Sequence, residues 1–286
     1  MSARQTFWLL VGASFFFVGS FAVLAARLGP CVSIGSICLL HAADSACRLL
    51  MTIGVQTSPT AIGLGFLGAT LALPALGFAA LVHRWDRTRA FVRSLREARI
   101  DRLPDAVANA TWEVGLLGQV DLVELPEPIA LAYGLNQPRV CVSTALVRIL
   151  DPQELRAVLI HERVHQSRRD PLRLLLGHSL TSMLFWLPVA RDLYDHLQVV
   201  GEVEADAAVA RLPGGRAALA GALVKLLANP LVVGLGRGYA VSGLSVTERR
   251  VDALLDGTHR PPLVTSPARW LPSLGALIAL LCLLLL

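Results

Sequence analysis

The stretch Asp151-Pro152-Gln153-Glu154-Leu155-Arg156-Ala157-Val158-Leu159-Ile160-His161-Glu162-Arg163-Val164-His165 decides how this chain is read. Asp151 is a capping residue, Pro152 fits the first helical position, and Glu154 stands where a capping box closes. A helix is therefore predicted to start here and to run through Leu155, Val158 and Leu159 into the two histidines. Residues four apart share a helix face, so the imidazoles of His161 and His165 can converge on one ion. Glu162 is offset, and its carboxylate reaches an attacking water rather than the ion. This is the HExxH arrangement, in which zinc lowers the pKa of a water and the Glu takes its proton. The pattern also arises by chance in roughly one of a few hundred such sequences, so a third ligand decides its meaning.

Catalytic zinc takes three protein ligands and keeps an open position. In Gly201-Glu202-Val203-Glu204-Ala205-Asp206-Ala207-Ala208, Glu202 and Asp206 are four apart and share a face. Glu202 is the candidate third ligand, and Asp206 then accepts the N–H of a ligating histidine, which orients such ligands. Glu204 is the rival ligand, but it points elsewhere on the helix and has no acidic partner one turn on.

On these residues the sequence resembles a known family. HERVHQSRRDP followed by EVEAD looks like the BlaR/MecR-type membrane metallopeptidases, which act as antirepressor proteases in beta-lactam sensing. More distantly it is similar to the HtpX-type membrane proteases, which share HExxH followed by ExxAD. The resemblance covers residues 125–255. It implies a gluzincin-like core holding one Zn2+ per chain through His161, His165 and Glu202, with Glu162 as the base. Full-length antibiotic sensors of this kind carry a penicillin-binding domain after the last span. This sequence ends at Leu286, so a stand-alone catalytic unit is expected and beta-lactam sensing is not carried over.

Pro128-Ile129-Ala130-Leu131-Ala132-Tyr133 and Pro138-Arg139-Val140-Cys141-Val142-Ser143 read as two strands around Gly134-Leu135-Asn136-Gln137, a hairpin. In the resembling proteases the strand before the metal helix offers its edge to an extended substrate. That implies Ile129, Ala130, Leu131, Ala132 and Tyr133 as substrate-binding positions, through backbone pairing. A hairpin that merely packs against the helix is the plainer alternative, and both stay open.

Composition places the rest of the chain at a membrane. Only 16% of the residues are charged and the mean hydropathy is +0.58, where soluble chains carry about a quarter charged. Residues 7–26 and 61–82 are uncharged runs long enough to span a hydrocarbon core of roughly 30 Å, and the small residues Gly63, Gly65, Gly68 and Gly77 suit close helix packing. Arg84, Arg87, Arg89, Arg93, Arg96, Arg99 and Arg102 follow the second run, whereas the loop between the runs offers Arg27 and Arg48. That excess marks the cytoplasmic side and faces anionic lipid. Residues 270–286 are a third, shorter apolar run. The net charge is +5, but no lysine stripe with interleaved aromatics accompanies it, so nucleic-acid binding is not expected.

His165 and Glu202 must meet at one ion, yet the apolar residues 172–190 lie between them. A single crossing would strand Glu202 on the wrong side, so this segment is expected to enter and return, or to pack as a buried helix. Arg173, His178 and Pro188 fit that better than a lipid-facing span. His178 and His196 read as packing residues, Arg249 and Arg250 as local ion-pair formers. Cys31, Cys38 and Cys47 form no CxxC pair; they are small apolar residues or include a disulfide if their segment meets an oxidising compartment.

The expectation is a mainly α membrane protein with a small β-hairpin or sheet and a gluzincin-like core. Residues 1–83 form a two-helix anchor, 84–265 a cytoplasmic-side zinc metallopeptidase domain, and 266–286 a C-terminal transmembrane helix. The expected activity is zinc-dependent endopeptidase cleavage of a protein or peptide at the cytoplasmic side of a multi-pass membrane protein. By resemblance its substrate is a transcriptional repressor or a damaged membrane protein, with lipids as the other partner. The rivals are a signalling module that retains the fold for partner binding, and a membrane scaffold in which the motif is accidental.

Overall fold

The computed structural model describes residues 2–28, 59–228, 242–243, 254 and 267–285. Cys31, Cys38, Cys47, Arg249 and Arg250 lie outside these described residues. The order of elements is α1 (Ala3–Leu28), α2 (Pro59–Glu97), β1 (Arg99–Ile100), α3 (Asp105–Glu113), β2 (Val120–Val123), β3 (Ala130–Tyr133), β4 (Arg139–Ser143), α4 (Thr144–Ile149), α5 (Pro152–Arg168), α6 (Asp170–Met183), α7 (Pro188–Ala210), α8 (Gly215–Leu227), β5 (Ser242–Gly243) and α9 (Pro267–Leu285). They divide into two compact units.

The first unit comprises Met1–Ala3, Leu81–Leu176 and Asp195–Leu263 and contains the sheet. Its strands lie in the order β1-β2-β4-β3-β5, with β2 and β4 parallel and the other neighbours antiparallel. The expected hairpin is present, pairing Ala130 with Val142 and Tyr133 with Arg139. Gly134 opens its turn at φ +90, where an added Cβ would lie 2.8 Å from the Gln137 carbonyl oxygen, so this turn requires glycine. β2 shows no alternation because all four of its residues are buried. Asp121 sits among them, its carboxylate accepting from the Tyr133 hydroxyl and from Arg139 Nε and Nη2, with Arg99 Nη1 at 3.1 Å.

Helix α5 packs on β3 and α8. Leu155, Val158 and Leu159 enter one core with Val140, Val142 and Leu146 of the sheet side and Leu219 and Leu223 of α8. Each such buried side chain contributes about 1.5–3 kcal/mol. The helix begins as its sequence requires: Asp151 Oδ1 accepts from the Gln153 and Glu154 N–H groups, and Glu154 Oε2 accepts from the Asp151 N–H. It ends at Arg169, which adopts a left-handed conformation at φ 55.

The second unit comprises Arg4–Ala80, Gly177–Tyr194 and Val264–Leu286. Two helical stretches, Ala3–Ala26 and Leu64–Glu97, are long and apolar enough to cross a membrane, and Trp270–Cys282 is a shorter apolar helix. Phe15, Leu71 and Phe78 stand 76%, 66% and 66% exposed, a surface suited to hydrocarbon rather than water. Of the glycines expected to aid packing, Gly77 does so, with Ser179 and Met183 at 3.2 Å from where a Cβ would be, whereas Gly65 and Gly68 have nothing within 4 Å. Residues 172–190 do not form one continuous helix: α6 stops at Met183 and α7 starts at Pro188.

Candidate metal centre

Helix α5 presents His161 and His165, and α7 presents Glu202, to one buried point within the first unit. His161 Nε2 and His165 Nε2 lie 3.1 Å apart, and each is 3.4 Å from an oxygen of Glu202. A tetrahedral ion with ligand bonds of about 2.0–2.1 Å sets its ligand atoms about 3.3–3.4 Å apart. Glu202 offers Oε2 to His161 and Oε1 to His165, and one donor atom from each of the three side chains falls within 4.8 Å of the others.

Proton accounting leads to the same place. The opposite nitrogen of each ring meets a carboxylate: His161 Nδ1 lies 3.1 Å from Asp206 Oδ1, and His165 Nδ1 lies 2.8 Å from Asp170 Oδ2. A carboxylate accepts, so each Nδ1 is placed to donate, and in the neutral ring of that tautomer Nε2 offers a lone pair toward the other two side chains. In that state a cation between the two nitrogens and the carboxylate would satisfy all three. The donor set of two imidazoles and one carboxylate is also the chemistry zinc accepts.

Glu162 lies beside this cluster with 0% exposure, and neither of its carboxylate oxygens has a hydrogen-bond partner of ordinary geometry. Burial pushes its carboxyl above the usual carboxylate range; the neighbouring imidazoles and the Ala132 backbone oppose that shift, and Glu202 adds to it. A fully buried acid left without partners is poised to meet a water or a substrate atom.

Glu204, the rival ligand, is engaged elsewhere: Arg168 Nη2 lies 2.6 Å from its Oε2, and the Ala3 N–H donates to its Oε1. His196 is buried, and burial lowers its pKa; the ring of His178 lies 5.9 Å from that of Tyr194. Neither histidine belongs to the cluster of His161, His165 and Glu202. Asp170 is the residue that sequence reasoning missed. Its signal was there to read, since Asp170-Pro171 repeats the Asp151-Pro152 pattern of a helix start and so fixes where the metal helix must end.

The strand expected to bind substrate has a neighbour on each side. Leu131 and Ala132 pair with Gly243 and Ser242 as well as with β4. Ile129 exchanges bonds with Ser143, and the Tyr133 hydroxyl donates to Asp121.

The chain combines two helices long and apolar enough to cross a membrane with a buried His-His-Glu cluster that could hold a metal ion, the combination a membrane metallopeptidase would need. Residues 47–254 match the family described as BlaR1 peptidase M56, and the chain belongs to that family. It is also similar to a protein named Protease HtpX homolog of Methanothermobacter thermautotrophicus, 30% identical over 47% of this chain and 57% of that protein. Protease HtpX of Hydrogenovibrio crunogenus is 28% identical over 54% of this chain and 56% of that protein. A shorter match, 41% identical over 27% of this chain and 26% of the relative, is to Protease HtpX homolog 2 of Methanosarcina mazei. The chain thus spans little more than half the length of these relatives at most.

Proposed function

We propose that this chain is a membrane-anchored, zinc-dependent endopeptidase in which His161, His165 and Glu202 hold one Zn2+ and Glu162 is the general base. The observation that carries this reading is the inward convergence of two imidazole nitrogens and a carboxylate oxygen, all within 4.8 Å of one another, beside a buried carboxylate whose oxygens have no partner of ordinary geometry. Zinc bound there supplies a Lewis acid that polarises the scissile carbonyl and lowers the pKa of a water. Glu162 takes the proton of the attacking water and passes it to the leaving amine. Asp206 and Asp170 hold the two imidazoles in the tautomer and orientation that ligation needs. Family membership and the protease names of the relatives support the same chemistry.

The substrate is a protein segment bound in extended form. In support, the edge of β3 accepts an antiparallel partner at Leu131 and Ala132, the place now taken by Ser242 and Gly243; a substrate strand would replace that pair. Clustered arginines after the second apolar run support a cytoplasmic active site, where a repressor or a damaged membrane protein would be met. The test is metal content of the detergent-purified chain, wild type against His161→Ala and Glu202→Ala, followed by casein cleavage with Glu162→Gln. About one zinc per chain, lost in both ligand variants, is expected. Glu162→Gln is expected to keep the metal and lose about 10²–10⁴ in rate. A wild type that takes up no zinc on reconstitution would overturn the reading.

A further inference from the structure

Beside the Arg163 face of α5 lies a solvent-open cleft. Arg163 stands two residues from each ligating histidine, roughly 200° around α5 from both, and its side chain lines this space. This open cleft measures about 570 Å³ and is walled by the segment before β2, the β3–β4 turn and the last turn of α5, with Arg163 and Arg169 exposed along it. Arg139, Arg163 and Arg169 are among its lining residues, and no Asp or Glu is.

Among the described residues, Arg163 and Arg169 form no ion pair. Arg139 is bound by the buried Asp121 at 2.6 and 2.9 Å. Arg163 is held in place by a single bond, its Nη1 donating to the Val114 carbonyl at 2.6 Å. Gly115, at φ +69, lies against that guanidinium: a Cβ there would be 3.6–3.7 Å from Nη1, Cζ and Nη2. Arg169 is, among the described residues, the only non-glycine at positive φ, at a helix-end position where glycine or asparagine is usual. The helix C-terminus contributes about half a negative charge, so the cavity keeps an excess of roughly +1.5. Gln119 and Gln137 add exposed amides to the wall.

We propose that this cavity binds a phosphate group between Arg163 and Arg169, carried by a small polar molecule or by a lipid headgroup. Guanidinium forks match phosphate oxygens in pairs. The volume falls in the range of small-ligand sites, roughly 300–1,000 Å³, and exceeds a bare phosphate, so the amides face the remainder of the ligand. This site does not depend on the peptidase reading, because binding alone reports it.

The test is calorimetric titration of inorganic phosphate into the full detergent-purified chain at constant ionic strength. Wild type is compared with Arg163→Gln, which keeps a donor for Val114, and with Arg169→Gly, which suits the left-handed backbone. Saturable binding is expected in wild type and should weaken roughly tenfold in each variant. Arg169→Gly should melt no lower than wild type, so its lost binding cannot be charged to misfolding. Absence of saturable phosphate binding, or equal affinity in all three proteins, would overturn the proposal. Reconstitution into phosphatidylglycerol or phosphatidylcholine vesicles then assigns the source. A rise in thermal midpoint specific to phosphatidylglycerol and lost in the double variant identifies a lipid headgroup. Phosphate binding without that rise identifies a soluble phosphate ester.

Discussion

Asp170 touches no reacting atom in the proposed chemistry, yet its Oδ2 lies 2.8 Å from Nδ1 of His165. Arg173 Nη1 in turn lies 3.3 Å from Asp170. An asparagine there still offers an acceptor but no charge, so the imidazole becomes a weaker ligand. Asp170→Asn is expected to lower zinc affinity by about 10–100-fold, measured by competition with a chromogenic chelator; unchanged affinity would remove Asp170 from the site. Asp121 acts on stability instead. Burial alone would raise its carboxyl, but bonds from Arg139 and Tyr133 and the charges of Arg139 and Arg99 hold it below the usual carboxylate range. Its folded value lies below its unfolded one, so its stabilisation is full at neutral pH. It fades as pH falls below the ordinary carboxylate value of about 3.9 and through the folded value. Asp121→Asn should cost about 1–3 kcal/mol at pH 7, and the gap to wild type should shrink below about pH 4. A gap constant from pH 7 to pH 3 in denaturant melts would show that the charge of Asp121 contributes nothing.

At the scale of elements, α5 was legible because each of its signals is local: a capping box, Pro152 at the start, and two histidines one turn apart. The hairpin was legible for the same reason, its strands meeting across a five-residue connection. Asp121 was not, since nothing within β2 announces that Tyr133, Arg139 and Arg99 will gather around it from other strands. The contact between α5 and α8 was equally hidden. Glu154 caps its own helix and also pairs with Lys225, 2.6 Å away, and a Cβ on Gly221 would fall 2.8 Å from Glu154 Oε1. Gly221 therefore leaves room for a carboxylate with two duties. Helix propensity alone makes Gly221→Ala stabilising by about 1 kcal/mol. We expect the reverse in wild type, because the displaced Glu154 loses both its cap and its lysine. In a Glu154→Ala background the same substitution should recover the propensity gain. Additive effects in that double-mutant cycle would contradict the arrangement.

For the whole molecule, counting apolar runs located the two long helices, since length and charge depletion are all a bilayer asks of a sequence. It could not show the break at residues 184–187, where an apolar run continues through a turn. Nor could it order a sheet whose outer strands, β1 and β5, are two residues each. The fold concentrates its electrostatic cost at one place. Glu162, Glu202, Asp206 and Asp170 are all buried around two imidazoles that are themselves buried. Such a group of carboxylates destabilises a fold unless a cation balances it. Metal should therefore stabilise the folded chain itself, by about 2.7 kcal/mol at a free zinc concentration one hundred times the Kd. Chelation should lower the thermal midpoint of the purified protein and zinc should restore it. Glu202→Ala, with the third ligand gone and one buried charge removed, should show little response to either treatment. Glu162→Gln should respond as wild type does, because it removes the proposed base and leaves the proposed ligands. A wild-type midpoint indifferent to chelator and zinc would mean that the three donors converge for packing alone.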